Sequence, residues 1–229
     1  MSGVPLVACN WGRVRVVVFD VDGTLYRQRP LRMRMIGDLF VHCVKRPSDF
    51  HVLRVIRAVR RAREQLSLGD AQGVSRELYA RPARRLGLTV SEVEAVVETW
   101  MHERPLRYLP ACRFPDVQLL FSDLRSSGRT IAVLSDYPAE RKLAALGLAA
   151  DLVVSSVDTT VDRFKPNPAG LRRILALTGA KPDECLLIGD RDELDGECAR
   201  RLGVPFLLKT NSTTGPNRFA RYAELRASL

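Results

Sequence analysis

Five short apolar runs recur along the chain: "RVRVVVF" (13–19), "RTIAVLS" (129–135), "DLVVSS" (151–156), "CLLIG" (185–189) and "VPFLLK" (204–209). Continuous runs of this length, rich in β-branched residues, read as strands covered on both faces, which is the condition of a parallel sheet. Helical patterns separate them. "PDVQLLFSDLRSSG", "PAERKLAALG", "PAGLRRILALTG" and "GECARRLG" carry apolar residues at i, i+3 or i+4 spacing, and they stop at Gly128, Gly147, Gly179 and Gly203. Strand and helix in alternation predict an α/β fold, a Rossmann-like doubly wound parallel sheet with helices on both faces.

Residues 27–112 break the alternation. "LRMRMIGDLFVHCVKR" (31–46), "SDFHVLRVIRAVRRAREQL" (48–66), "SRELYA" (75–80) and "SEVEAVVETWMHER" (91–104) are all helical patterns, with N-caps expected at Ser48 and Ser91. Pro82 is expected to interrupt the third of them and leave "RPARRLG" as a basic elbow. The organisation predicted is a Rossmann-like core of residues 1–26 and 113–229, with an all-helical unit, 27–112, inserted after the first strand. The residues from "TTGPNR" onward read as a loosely attached tail.

The charge follows the same division. The chain has a formal net charge of +10, and residues 27–112 hold 17 basic against 9 acidic residues, so nearly all the excess lies in the helical unit. Such an excess points to an anionic partner for that unit. Within it, Val52, Val55, Ile56, Val59 and Ala62 form an apolar stripe opposite Arg54, Arg57, Arg60, Arg61 and Arg63. Packing of that stripe inside the unit is the expectation; peripheral contact with an anionic membrane is the alternative, and nucleic acid fits less well because aromatics are few.

No apolar stretch is long enough to cross a bilayer, and the six-residue apolar patch before Asn10 is too short for a signal-peptide core, so a cytoplasmic location is expected. The five cysteines show no C-x-x-C pairing and read as reduced packing residues. The three histidines are scattered, and no zinc pattern is visible.

In an open parallel sheet the site lies outside the carboxyl ends of the strands. Four stretches fall there: "DVDGT" (20–24), "SDYP" (135–138), "KPNP" (165–168) and "GDRDELD" (189–195). Each alone has an ordinary reading as a turn, a cap or a solvated loop; their convergence does not. Asp20, Asp22, Asp190 and Asp195 would repel one another unless neutralised, and hard oxygen ligands suit Mg²⁺. Ser135 and Lys165 beside such an ion suit a phosphoryl group.

Asp20-Val21-Asp22-Gly23-Thr24, then Ser135, then Lys165-Pro166, then Gly189-Asp190 with Asp195 five positions on, resembles the haloacid dehalogenase superfamily. Specifically, it looks like the phosphoglycolate phosphatase-like members with a helical, C1-type cap after the first motif. The resemblance implies a Mg²⁺-dependent phosphomonoester hydrolase working through an aspartyl-phosphate. Asp20 is then the nucleophile and a metal ligand. Asp22 is the general acid/base and ligates through its carbonyl, and Thr24 orients Asp22. Ser135, the Asp136 N–H and Lys165 hold the phosphoryl group, and Asp190 completes the metal shell, with Asp195 joining it directly or through water. An acid at Asp22 favours phosphate esters over halides, because a halide leaves without a proton. Asp136 departs from the frequent asparagine.

The resemblance also assigns leaving-group recognition to the cap, for which Tyr26, Arg27, Arg29, Arg81, Arg84 and Arg85 are candidates. The substrate expected is a small phosphorylated metabolite. A phosphomutase, a phosphatase of a lipid-linked or nucleotide phosphate, and a non-catalytic anion-binding scaffold are the alternatives. The protein is expected to be a monomer or a homodimer.

Overall fold

The computed structural model describes residues 10–69, 72–212 and 215–229. Its centre is a six-stranded, all-parallel sheet in the order β3-β2-β1-β4-β5-β6. The strands are β1 (Val16–Phe19), β2 (Thr130–Ser135), β3 (Leu152–Ser155), β4 (Cys185–Gly189), β5 (Phe206–Lys209) and β6 (Arg218–Phe219). Alternation along each strand divides the core in two. Val17, Phe19, Ile131, Val133, Leu186 and Ile188 face one apolar cluster, while Val16, Val18, Ala132, Leu134, Cys185 and Leu187 face the other. With β2 and β4 on either side of β1, the chain changes direction at β1, and a crevice opens beyond its carboxyl end.

The helices α1 (Gln28–Lys45), α2 (His51–Ser67), α3 (Val74–Leu86), α4 (Val90–Val97) and α5 (Leu109–Cys112) lie between β1 and β2. The connections on either side of them meet: isolated bridges link Asp22 to Tyr26 and Tyr26 to Arg113. The stripe of α2 is turned inward, with Val52, Val55, Val59 and Ala62 buried and Ile56 half-buried. Val55, Val59, Leu66, Val74, Leu78, Ala83, Val93 and Val97 form a third apolar cluster, closed by Phe164 from the loop after β3. The insertion therefore packs directly over the strand ends. The remaining helices are α6 (Val117–Ser126), α7 (Glu140–Leu146), α8 (Ala169–Thr178), α9 (Glu197–Arg200) and α10 (Tyr222–Arg226).

Four local expectations are corrected. Pro82 does not interrupt α3, which runs through it to a left-handed Gly87; Leu78, Pro82 and Ala83 are buried, and that packing holds the helix across one missing N–H donor. Ser91 lies inside α4, whose cap is Thr89: its hydroxyl accepts from the Glu92 N–H at 3.2 Å, while the Glu92 carboxylate accepts from the Thr89 N–H at 2.7 Å. Ser48 caps nothing; it sits in a 3₁₀ turn, Pro47–Phe50, with its hydroxyl on Asp49. The C-terminal residues are no loose tail. Phe219, Tyr222 and Leu225 are fully buried, and the Tyr222 hydroxyl donates to the Thr24 carbonyl at 2.5 Å.

No helix among the described residues is long and apolar enough to cross a membrane. Cys43, Cys112, Cys185 and Cys198 are free and buried, and burial pushes the thiols of Cys185 and Cys198 up to about 12. Cys9 and the apolar patch before Asn10 lie outside the described residues.

Candidate active site

Asp20 follows β1 directly, and its backbone N–H still donates to Ile188 at 2.9 Å, so the sheet register fixes where its carboxylate emerges. One carboxylate oxygen accepts from the Thr24 hydroxyl at 3.0 Å, the other from the Lys165 ammonium at 2.5 Å. Lys165 also donates to Asp195 at 2.7 Å, and all three side chains are buried. Thr24 thus orients Asp20; it was expected to orient Asp22. Its hydroxyl reaches back across the turn to the carboxylate four positions earlier.

Two glycines make this crowding possible. Gly23 has φ +105°, open to glycine at no steric cost, and a Cβ there would overlap the Asp190 carboxylate. A Cβ at Gly189 would overlap the Asp195 side chain in the same way. Asp20, Asp190 and Asp195 consequently place carboxylate oxygens within 4.8 Å of one another. Burial pushes Asp20 up to about 8; Lys165 opposes this, and the neighbouring Asp195 and Asp190 reinforce it. Burial and Asp195 push Asp190 up to about 6. Three carboxylates crowded this closely, all with hard oxygen donors, form a set fitted to a divalent cation.

Asp22 points elsewhere. The Lys142 ammonium spans its two oxygens at 2.7 and 2.8 Å, and the Tyr26 hydroxyl donates to it at 2.5 Å. Burial alone would raise Asp22, but Lys142 and then Tyr26 outweigh it, and the carboxyl lies below its ordinary range. Its backbone carbonyl accepts from the Gln28 side chain, which in turn accepts from Arg32.

On the other wall, Ser135 is buried at the end of β2 and accepts from the Tyr137 N–H at 3.3 Å. Asp136 forms an ion pair with Arg63 of α2 and accepts from the Ser156 hydroxyl at 3.2 Å. Burial would raise Asp136; Lys165 and Arg63 overcome it and hold the carboxyl low. A side chain from the insertion thereby neutralises the acid that stands where asparagine is frequent.

These groups surround a cavity of about 410 Å³ lined by Asp20, Asp22, Gln28, Arg32, Arg63, Asp136, Tyr137, Lys165, Asp190, Arg191, Leu194 and Asp195. None of the six residues expected to recognise the leaving group belongs to that lining. Arg27, Arg29 and Arg85 are exposed, and Arg81 and Arg84 bridge to Glu77 on their own helix at 3.1 and 2.8 Å. Tyr26 is buried and acts on Asp22.

Sequence reasoning missed Lys142, Gln28, Arg32 and the inward turn of Arg63. One signal for Lys142 was present: the chain has 5 lysines against 31 arginines, and Lys142, Lys165 and Lys209 are buried. A lysine retained in so arginine-rich a chain marks a place where a compact ammonium is needed.

The family model for haloacid dehalogenase-like hydrolases matches residues 14–203, and the chain belongs to that family of hydrolases. A phosphoglycolate phosphatase of Rhodospirillum rubrum is 28% identical over 206 residues, covering 85% of this chain and 78% of that protein. Among solved structures, an HAD phosphatase from Thermococcus onnurineus superposes with a TM-score of 0.58 at 19% identity, over 94% of this chain and 97% of the other. A 2-haloacid dehalogenase from Pseudomonas syringae pv. Tomato DC3000 gives 0.62 at 17% identity, over 93% and 97%. At those identities the two superpositions establish the fold, which phosphatase and dehalogenase share.

Proposed function

We propose that the chain is a Mg²⁺-dependent phosphomonoester hydrolase of small phosphorylated metabolites, with the helices of residues 27–112 as its cap. The observation that carries the reading is the meeting of Asp20, Asp190, Asp195 and Lys165 in one buried cluster with a second acid, Asp22, at the rim. A halide departs without a proton; an alkoxide does not. The Rhodospirillum rubrum relative, a phosphoglycolate phosphatase by name, supports the same side.

Asp20, Asp190, Asp195 and the Asp22 carbonyl would hold the Mg²⁺, which supplies charge neutralisation at the phosphoryl oxygens when bound. An Asp20 oxygen attacks phosphorus, the bond to the leaving oxygen breaks, and the Asp22 carboxyl supplies that oxygen with a proton. Asp22, now a carboxylate, takes a proton from the water that attacks the aspartyl-phosphate. Phosphate departs and Asp20 is restored. Ser135, the Asp136 N–H and Lys165 hold the phosphoryl oxygens, and Thr24 keeps one Asp20 oxygen in place. Lys142 and Tyr26 favour the carboxylate form of Asp22, the form required in the second step. Arg63 is committed to the buried Asp136, which leaves Arg32, donating to the Gln28 side chain, and Arg191, paired with the exposed Glu193, as the cavity arginines for a second anionic group on the substrate.

Phosphate release from a broad panel of phosphomonoesters, with Mg²⁺ or with EDTA, tests the reading in wild type and Asp20→Asn. Metal-dependent turnover abolished by the substitution is expected. Release that survives it would sink the aspartyl-phosphate mechanism, and conversion of one phosphate ester into its isomer would make the enzyme a mutase.

A further inference from the structure

Helix α1 is apolar on two faces, one buried and one exposed. Leu31 and Cys43 are buried, and Met35 and Leu39 are half-buried on the same side. On the other side Met33, Ile36, Phe40 and Val44 follow one another at i, i+3, i+7 and i+11 and are 60–69% exposed. Val41 and, in the next turn, Phe50 widen the strip. Six of the ten exposed large apolar side chains among the described residues fall within these 18 positions, so random scatter does not account for them.

The charge around the strip is of one sign. At 100° per residue, Arg32 borders one edge and Arg34 and Lys45 the other, with Arg29 in the first turn and Arg46 just past the last; all are exposed. The acid of α1, Asp38, lies off the strip and is held by Arg107 and by the Tyr108 hydroxyl at 2.8 Å. Asp49 in the following turn is taken by His42 at 2.9 Å.

We propose that this face of α1 docks onto an anionic lipid bilayer, with Ile36, Phe40 and Val44 entering the headgroup–acyl boundary and Arg29, Arg34, Lys45 and Arg46 meeting lipid phosphates. Charge complementarity selects that occupant over a second copy. Pairing two of these faces would bring together two units that each carry 17 basic against 9 acidic residues, whereas an anionic surface neutralises them. The surface is not the one suggested by the sequence: the α2 stripe is buried, and α1 carries the exposed face. The apolar strip shares no side chain with the cavity lining; of its basic border only Arg32 lines the cavity, and it stays with the catalytic site.

Vesicle flotation tests it at about 0.15 M salt, where surface charge is screened beyond about 8 Å. The probes are phosphatidylcholine vesicles with or without phosphatidylglycerol. Wild type is expected to float with the phosphatidylglycerol vesicles alone. The exposed-face variant Ile36→Ser/Phe40→Ser/Val44→Ser is expected to lose at least about tenfold in partitioning with an unchanged melting curve, because the lost apolar burial exceeds that threshold. Wild type that does not float, or a variant that floats equally well, overturns the proposal. A concentration-dependent dimer dissolved by the same substitutions, without vesicle binding, overturns it in favour of self-association.

Discussion

Asp20 sits in the fold at a cost that its chemistry requires. Its folded-state pKa lies near 8, against an ordinary value of 3.8, so between those limits the folded protein binds more protons than the unfolded chain. Stability contributed by that proton is full below about pH 4 and is lost as pH rises toward 8. In EDTA, Asp20→Asn is therefore expected to melt above wild type by an amount that grows from pH 5 to pH 8.5. The added gap should exceed about 1 kcal/mol, or roughly 2–4 °C for a chain this size. A melting difference independent of pH would mean that the fold does not raise Asp20. The aspartate pair at the start of the first motif was legible in the sequence. The hydrogen-bond partner of Thr24 was not, because Asp22 lies two positions away and Asp20 four, and only the loop geometry selects the more distant one.

At the scale of elements, α2 ties the insertion to the strand ends through Arg63 and Asp136, whose side chains are 11% and 12% exposed. Removing one partner of such a pair leaves the other buried and uncompensated, costing roughly 3–5 kcal/mol when fully buried and less here. Arg63→Met is expected to lose about 1–3 kcal/mol in urea unfolding. Adding Asp136→Asn should recover most of it, as a double-mutant cycle would show. Strictly additive losses would mean that the two groups are not coupled. Five basic residues on one helix gave no means of telling Arg63 from its neighbours; its i, i+4 and i+7 relations to Val59 and Leu66 place it at the edge of the buried stripe, but which edge faces Asp136 depends on how the helix packs.

For the molecule as a whole, the C-terminal segment closes the core beneath the first motif. Tyr222 packs against Phe219 and Phe114, with ring centroids 5.2 and 6.2 Å away, and its hydroxyl holds the Thr24 carbonyl. Tyr222→Ala is expected to cost about 3–5 kcal/mol, as for other large-to-small changes at buried aromatics. Tyr222→Phe, which loses only the hydrogen bond, should cost about 1 kcal/mol. Both are read from urea unfolding, and a neutral Tyr222→Ala would restore the view of a loose tail.

What the sequence determined by itself is the part carried by local pattern. Buried runs and glycine stops specify strands and helices, and the ends of parallel strands in a doubly wound sheet converge whatever the loops between them do. The layered fold and the acids at those ends follow from this. Tertiary structure alone decided what depends on packing between distant elements. Lys142 was placed on Asp22, Arg63 on Asp136, Tyr222 under Thr24, and the exposed apolar face on α1 rather than α2. Helical periodicity shows that a helix has an apolar face, but whether a neighbour covers that face is settled only when the other elements are in place.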